Sequence, residues 1–389
     1  MNKLACAIIA GLTIAWTGSA PASAQGAVVV PAKAGAVDGT TENSDAFIWR
    51  LFTEFAAPAF KSQPSPVVFE TWASDEDTFS TKPQWPGPDA PRKLHACVPE
   101  SAQTTSEHQS AIDVACGPPK NAAVGGFPTS GTPTPCIAEE NKRNYDQFQY
   151  IVANHLNTKA GLAAAFAKSF KVEMPPTAIA VKGDWVPVQT LLQWMPQLSN
   201  IGNIEKLYYT TTAASVEYAL VSLHVSSRQN ANWVWGSFEH QLNPGRCDTM
   251  GCFDSFGAET PAVLPNKAAV NAQYGACPKT KSLKTLMDKA NLSPVWENYC
   301  LKSTEVDYGA TDGTPYVLGN SVIERILGNG NISASSCIAC HVYASFGSNG
   351  SPTASATAML GYNPTGNPIP GVLAGSLQFD FMWGVMMAP

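Results

Sequence analysis

Two cysteines three positions apart, followed at once by a histidine, constrain this chain more than any other feature: Cys337-Ile338-Ala339-Cys340-His341. On one helical turn the three side chains project to the same side. Two thiols at that spacing meet the two vinyl groups on one edge of a haem and form thioethers. The adjacent imidazole is then held against the iron. The chain's own Cys and His counts give about 0.004 chance copies of the pattern. A zinc half-site would want a second Cys/His pair at fixed spacing, and none is visible. A thioredoxin-like pair belongs early in a βαβ unit, whereas this one lies near the end of the chain. The motif occurs once, which predicts one covalently held haem c, with Cys337 and Cys340 as anchors and His341 as iron ligand.

The first residues agree with such a cofactor. Lys3, an apolar run from Leu4 to Trp16 and the small residues ending at Ala24 have the order of a cleavable export signal. Residues 1–24 are read as that leader, which places the mature protein in the periplasm or outside the cell. The apolar run is too short for a permanent membrane span, and no later segment is long and apolar enough to be one. No stable membrane insertion is expected. In an oxidising compartment exported cysteines usually pair. Cys247 with Cys252 and Cys277 with Cys300 are the simplest pairs, leaving Cys97, Cys116 and Cys136 with one odd thiol. The formal charge is −6, and removing Lys3 with the leader makes it −7. An acidic chain lacks the basic footprint of a nucleic-acid binder. It is compatible with docking to a basic redox partner protein.

Residues 25–389 read as one haem-binding unit. Phe47, Ile48, Leu51, Phe52 and Phe55 make the apolar stripe of a helix over 45–60. Phe69–Trp72 reads as a short strand or turn. Residues 86–140 form a Pro/Gly/Cys-rich excursion without periodicity; nine prolines fall between Trp85 and Cys136. Helices are expected over 143–157, 159–170 and 282–290, and another from Asn320 to Leu327. Strands are expected at 178–185, 217–225 and 232–240, the last two joined by a hairpin. The predicted fold is α+β: mostly helices and loops, a small central antiparallel sheet, and a C-terminal cytochrome-c-like haem segment over 318–389.

The other axial position of the iron decides between electron transfer and catalysis. Downstream candidates are Met359, Met382, Met386 and Met387, with Met382 best spaced, 41 residues after His341. Upstream candidates are His224 and His240, which pairing of the two strands would bring near each other. Glu239 beside His240 is a candidate acid–base pair should the protein be an enzyme. His95, His108 and His155 are read as structural or surface residues.

Scattered segments along most of the mature chain carry a resemblance. They include Phe69-Glu70-Thr71-Trp72, Val181-Lys182-Gly183-Asp184-Trp185, Leu223-His224, Trp233-Val234-Trp235-Gly236-Ser237-Phe238-Glu239-His240, Leu318-Gly319-Asn320-Ser321, and Asp380-Phe381-Met382-Trp383. Together with the motif they resemble large exported bacterial proteins of the cytochrome c family. The resemblance implies haem and export but names no reaction, and it favours His224 and His240 over Met382 as the sixth ligand. The expected function is single-electron transfer by a mono-haem c-type cytochrome. The alternative is a c-type haem enzyme acting on peroxide, oxygen or an organic substrate, an option suggested by the chain's size.

Overall fold

A computed structural model describes residues 42–61, 65–87, 137–198, 201–269, 271–326, 335–353 and 365–389, with isolated positions elsewhere. Residues 1–24, expected to be a leader, most of the 86–140 excursion with Cys97, Cys116 and Cys136, and His95, His108 and Met359 lie outside the described residues.

The fold is mixed α/β and is dominated by a seven-stranded antiparallel sheet, which corrects the expectation of mostly helices around a small sheet. In chain order the strands are β1 (Val30–Pro31), β2 (Ala73–Ser74), β3 (Ala138–Arg143), β4 (Ile179–Pro187), β5 (Thr210–Ala213), β6 (Val216–Ser227) and β7 (Val234–His240). They are followed by β8 (Cys252–Phe253), β9 (Ala262–Val263) and β10 (Tyr299–Glu305). The main sheet has the order β10-β7-β6-β4-β3-β2, with β5 also paired to β6. The three strands expected from alternation are β4, β6 and β7, and they lie side by side. What composition hid is the outer part of the sheet. β3 reads Ala-Glu-Glu-Asn-Lys-Arg, a helix-like or surface string, yet it pairs with β4 throughout. Its charges are matched locally: Arg143 with Asp75, Lys142 with Glu140, and Lys182 with Glu139.

The two faces of this sheet differ in chemistry. Successive strand residues point to opposite sides. Val181, Leu223, Val225, Val234, Phe238 and Leu301 form one apolar face. The Ser44–Phe55 helix covers it with Phe47, Ile48, Leu51, Phe52 and Phe55. The Asn43 side chain caps that helix, accepting from Asp45 N at 2.8 Å. Fully burying each large apolar side chain stabilises by roughly 1.5–3 kcal/mol, so this layer is the main source of cohesion. Gly236 lets the helix approach: a Cβ there would lie 2.6 Å from the Ile48 side chain. The helix stops at Phe55, short of the expected end, ahead of Pro58.

The opposite face carries Lys182, Asp184, Ser222, His224, Ser226, Trp235, Ser237, Glu239 and Glu305. Strand pairing aligns several of them: Lys182 faces His224, Ser222 faces Glu239, His224 faces Ser237, and Glu305 faces Trp235. The C-terminal segment covers this polar face. Its own apolar residues, Ile338, Val342, Phe346, Phe379, Phe381 and Met382, pack with Trp233 and Trp235. Disulfides join Cys247 to Cys252 and Cys277 to Cys300, as the spacing suggested. Among the described residues no helix is long and apolar enough to cross a membrane.

Candidate functional site

Cys337–His341 is a short helix of five residues. Ser336 caps it, its hydroxyl accepting from Ala339 N at 3.1 Å. Glu305, at the end of β10, then fixes the cap to the sheet. It accepts from the Ser336 hydroxyl at 2.7 Å and from Ile338 N at 3.1 Å. Burial pushes the Glu305 carboxyl up to about 8, with these hydrogen bonds opposing.

Cys337 and Cys340 are free thiols, in contrast to the paired cysteines elsewhere. Burial, with Glu305 adding for Cys337, raises that thiol well above its usual range. Burial and then Glu324 push Cys340 up to about 12. Two unpaired thiols on one helical turn are the groups that two thioether anchors would use.

His341 is oriented by its neighbours. Its Nδ1 lies 2.7 Å from the Phe381 carbonyl, which assigns the proton to Nδ1 and leaves the lone pair on Nε2. The Trp235 ring packs 4.5 Å from the imidazole. Burial pushes His341 down to about 4, the Phe381 carbonyl opposing and the Lys182 charge adding. A neutral imidazole with one free nitrogen and a carbonyl behind the other is the arrangement of a metal-ligating histidine. Among the described residues no group of three or more His, Cys, Asp or Glu side chains could hold a bare metal ion. Two unpaired thiols and an imidazole with one uncommitted nitrogen on the same turn are the groups by which a covalent haem would be held.

The residues expected as a second axial ligand are placed very differently. His224 lies on the motif's face of the sheet. Asn320 Nδ2 donates to its Nε2 at 2.7 Å, and a Glu324 oxygen lies 3.9 Å away. Burial and then the Lys182 charge push His224 down to about 3, so its ring is neutral. Burial raises the Glu324 carboxyl. Lys182 stays charged although burial disfavours it, because Glu139, Asp184 and Glu324 surround it.

His240 sits on the other face. It is fully buried, its Nε2 lies 2.8 Å from the Leu207 carbonyl, and its ring stacks on Tyr208 at 3.6 Å. Burial pushes it down to about 3. The structure thus separates His240 from both His224 and the motif. β6 and β7 do pair, but His224 is opposite Ser237, an odd number of residues from His240. The same alternation separates Glu239 from His240, so the adjacent pair does not converge on one site. Met382 is buried in the apolar cluster of the C-terminal segment with Phe379, Phe381 and Val385. Met386 is exposed and His155 lies in a turn with φ 55°.

Glu239 has a structural partner instead. Its Oε1 accepts from Lys302 Nζ at 3.1 Å and from Ser321 N at 2.9 Å. Its Oε2 accepts from the Ser321 hydroxyl and from Asn243 Nδ2 at 3.2 Å. Burial works against the charge, but Lys302, Ser321 and Asn243 outweigh it and lower the pKa. This cluster pins Ser321, and next to it Asn320, the residue that holds His224. Asn320 also caps the Ile323–Ile326 helix, accepting from Ile323 N at 2.7 Å. Lys302, Asn320, Glu305 and Lys182 escaped the sequence-based selection of site residues; only the long-range pairing of strands reveals them.

Comparison with protein families, with characterised proteins and with solved structures returns no match for this chain.

Proposed function

We propose that the protein is an exported mono-haem c-type cytochrome that passes single electrons. The observation carrying this reading is the pair of unpaired cysteines on one turn with His341, whose Nδ1 is committed to the Phe381 carbonyl. When bound, a haem supplies a one-electron couple at its iron. The chain's residues do the rest. Cys337 and Cys340 tether the cofactor, and His341 offers Nε2 as the proximal ligand. Trp235 fixes the ring plane, and Glu305 holds the helix on the sheet. The acidic surface favours a basic redox partner. The leader and the two disulfides support a periplasmic or secreted location.

Potentiometric titration of the purified, haem-loaded protein tests the reading. A single reversible one-electron wave is expected; absence of a reversible wave contradicts electron transfer.

The polar face beside the motif favours a second reading, a haem enzyme acting on peroxide, oxygen or an organic substrate. The fully buried Ser237 hydroxyl, opposite His224 in the β6–β7 ladder, has no hydrogen-bond partner among the described residues. With His224 neutral and Lys182 charged nearby, this face offers hydrogen-bonding and electrostatic contacts to a small polar ligand. Carbon monoxide addition to the reduced protein separates the two: an unchanged spectrum supports electron transfer, and rapid tight binding supports the enzyme.

A further inference from the structure

We propose that Asp380 is a positioning residue: its carboxylate pins a left-handed turn that presents the Phe381 carbonyl to His341 and thereby tunes the proximal ligand. The inference rests on the haem reading above. Asp380 and Phe381 are consecutive non-glycine residues with φ of 43° and 66°. Asp tolerates this region, but a bulky aromatic residue there is strained and persists only where its surroundings hold it.

The surroundings here are specific. Asp380 Oδ2 accepts from Met174 N at 2.6 Å and from Arg228 Nε at 3.0 Å. Its Oδ1 accepts from the Trp233 indole at 3.3 Å. These donors come from the segment before β4 and from the β6–β7 connection, so one carboxylate ties the C-terminal segment to two neighbouring connections at one end of the sheet. Trp233 is itself left-handed, with φ 61°, and is fully buried. Phe379 N and Met382 N complete the turn, donating to Ala344 O at 2.7 Å and Phe379 O at 2.9 Å. The product of these contacts is one carbonyl, 2.7 Å from His341 Nδ1.

A ligating histidine that donates its second N–H to a fixed acceptor is more basic at the other nitrogen. A more basic ligand favours the oxidised metal. Loosening the turn should weaken that donation and raise the potential.

The test uses the full chain carrying its haem. Asp380→Asn keeps size and tolerance of left-handed backbone but cannot accept from all three donors. Trp233→Phe removes one donor and changes no charge, so a shift in the same direction excludes a simple charge effect. The readouts are midpoint potential and the ferric electron paramagnetic resonance g-values. We expect retained covalent haem, altered g-values, and an Asp380→Asn potential raised by the equivalent of a threefold to tenfold change in oxidised-to-reduced ratio. Tenfold corresponds to about 59 mV for one electron. Trp233→Phe should move it the same way by less. If one variant fails to fold, the other decides. Unchanged potential and g-values in a haem-loaded variant overturn the positioning role alone. A wild-type protein without covalent haem overturns the haem reading, and this inference with it.

Discussion

Replacing Glu239 by Gln should destabilise the protein severely. The Glu239 and Lys302 side chains are 0% and 2% exposed. Gln keeps the shape, but it supplies one acceptor oxygen where the carboxylate supplies two, and those two serve four donors. It also strands the Lys302 ammonium in the interior. Breaking a buried pair from one side typically costs about 3–5 kcal/mol. Total stabilities are about 5–15 kcal/mol, so a large fraction is at stake. Urea denaturation should show a lower midpoint. The double variant Glu239→Gln/Lys302→Met removes the stranded charge, so its loss should fall short of the sum of the single losses, with a coupling of about 0.5–3 kcal/mol. A single-variant loss below about 1 kcal/mol, or strict additivity, would refute the assignment of this pair as the clasp holding Ser321 and Asn320.

Two further predictions separate the faces of the sheet. His224→Ala should change carbon monoxide binding or the ferric spectrum of the haem-loaded protein. His240→Ala should leave both unchanged and cost about 1–3 kcal/mol of stability through its lost stacking and buried hydrogen bond; the reverse pattern contradicts the face assignment. Asp254, which accepts from the Trp49 indole at 2.9 Å, is pushed up to about 6 by burial, hydrogen bonds from Gly257, Trp49 and Phe256 opposing. Its folded pKa exceeds the unfolded one, so its contribution is greatest below about pH 4 and is lost as pH rises to about 6. The loss is on the order of 3 kcal/mol at most. Asp254→Asn should flatten that part of the stability–pH curve, and an unaltered slope counts against it.

Local signals made the motif, the Cys247–Cys252 disulfide, the Ser44–Phe55 helix and the three inner strands legible in the sequence, each through spacing or periodicity, while Cys277–Cys300, 23 residues apart, was the next simplest pairing. β3 was not legible because Glu139 and Arg143 are satisfied by Lys182 and Asp75, partners distant in sequence. β10 begins after a loop-rich stretch and is pinned by Lys302, whose carboxylate partner lies on another strand. Which of His224 and His240 shares the motif's face of the sheet depends on strand parity, which the sequence alone does not show. One residue of offset places His240 against Tyr208 while His224 meets Asn320. The left-handed turn at Asp380 and Phe381 had no sequence signal, since neither residue is glycine.

Covalent attachment is the central claim, and it is tested most directly by denaturing the purified protein and extracting with acidified organic solvent. The wild-type chain should keep its haem, while Cys337→Ala/Cys340→Ala should release it or carry none. A wild-type protein that purifies without haem, or yields all of it to the solvent, would contradict the account.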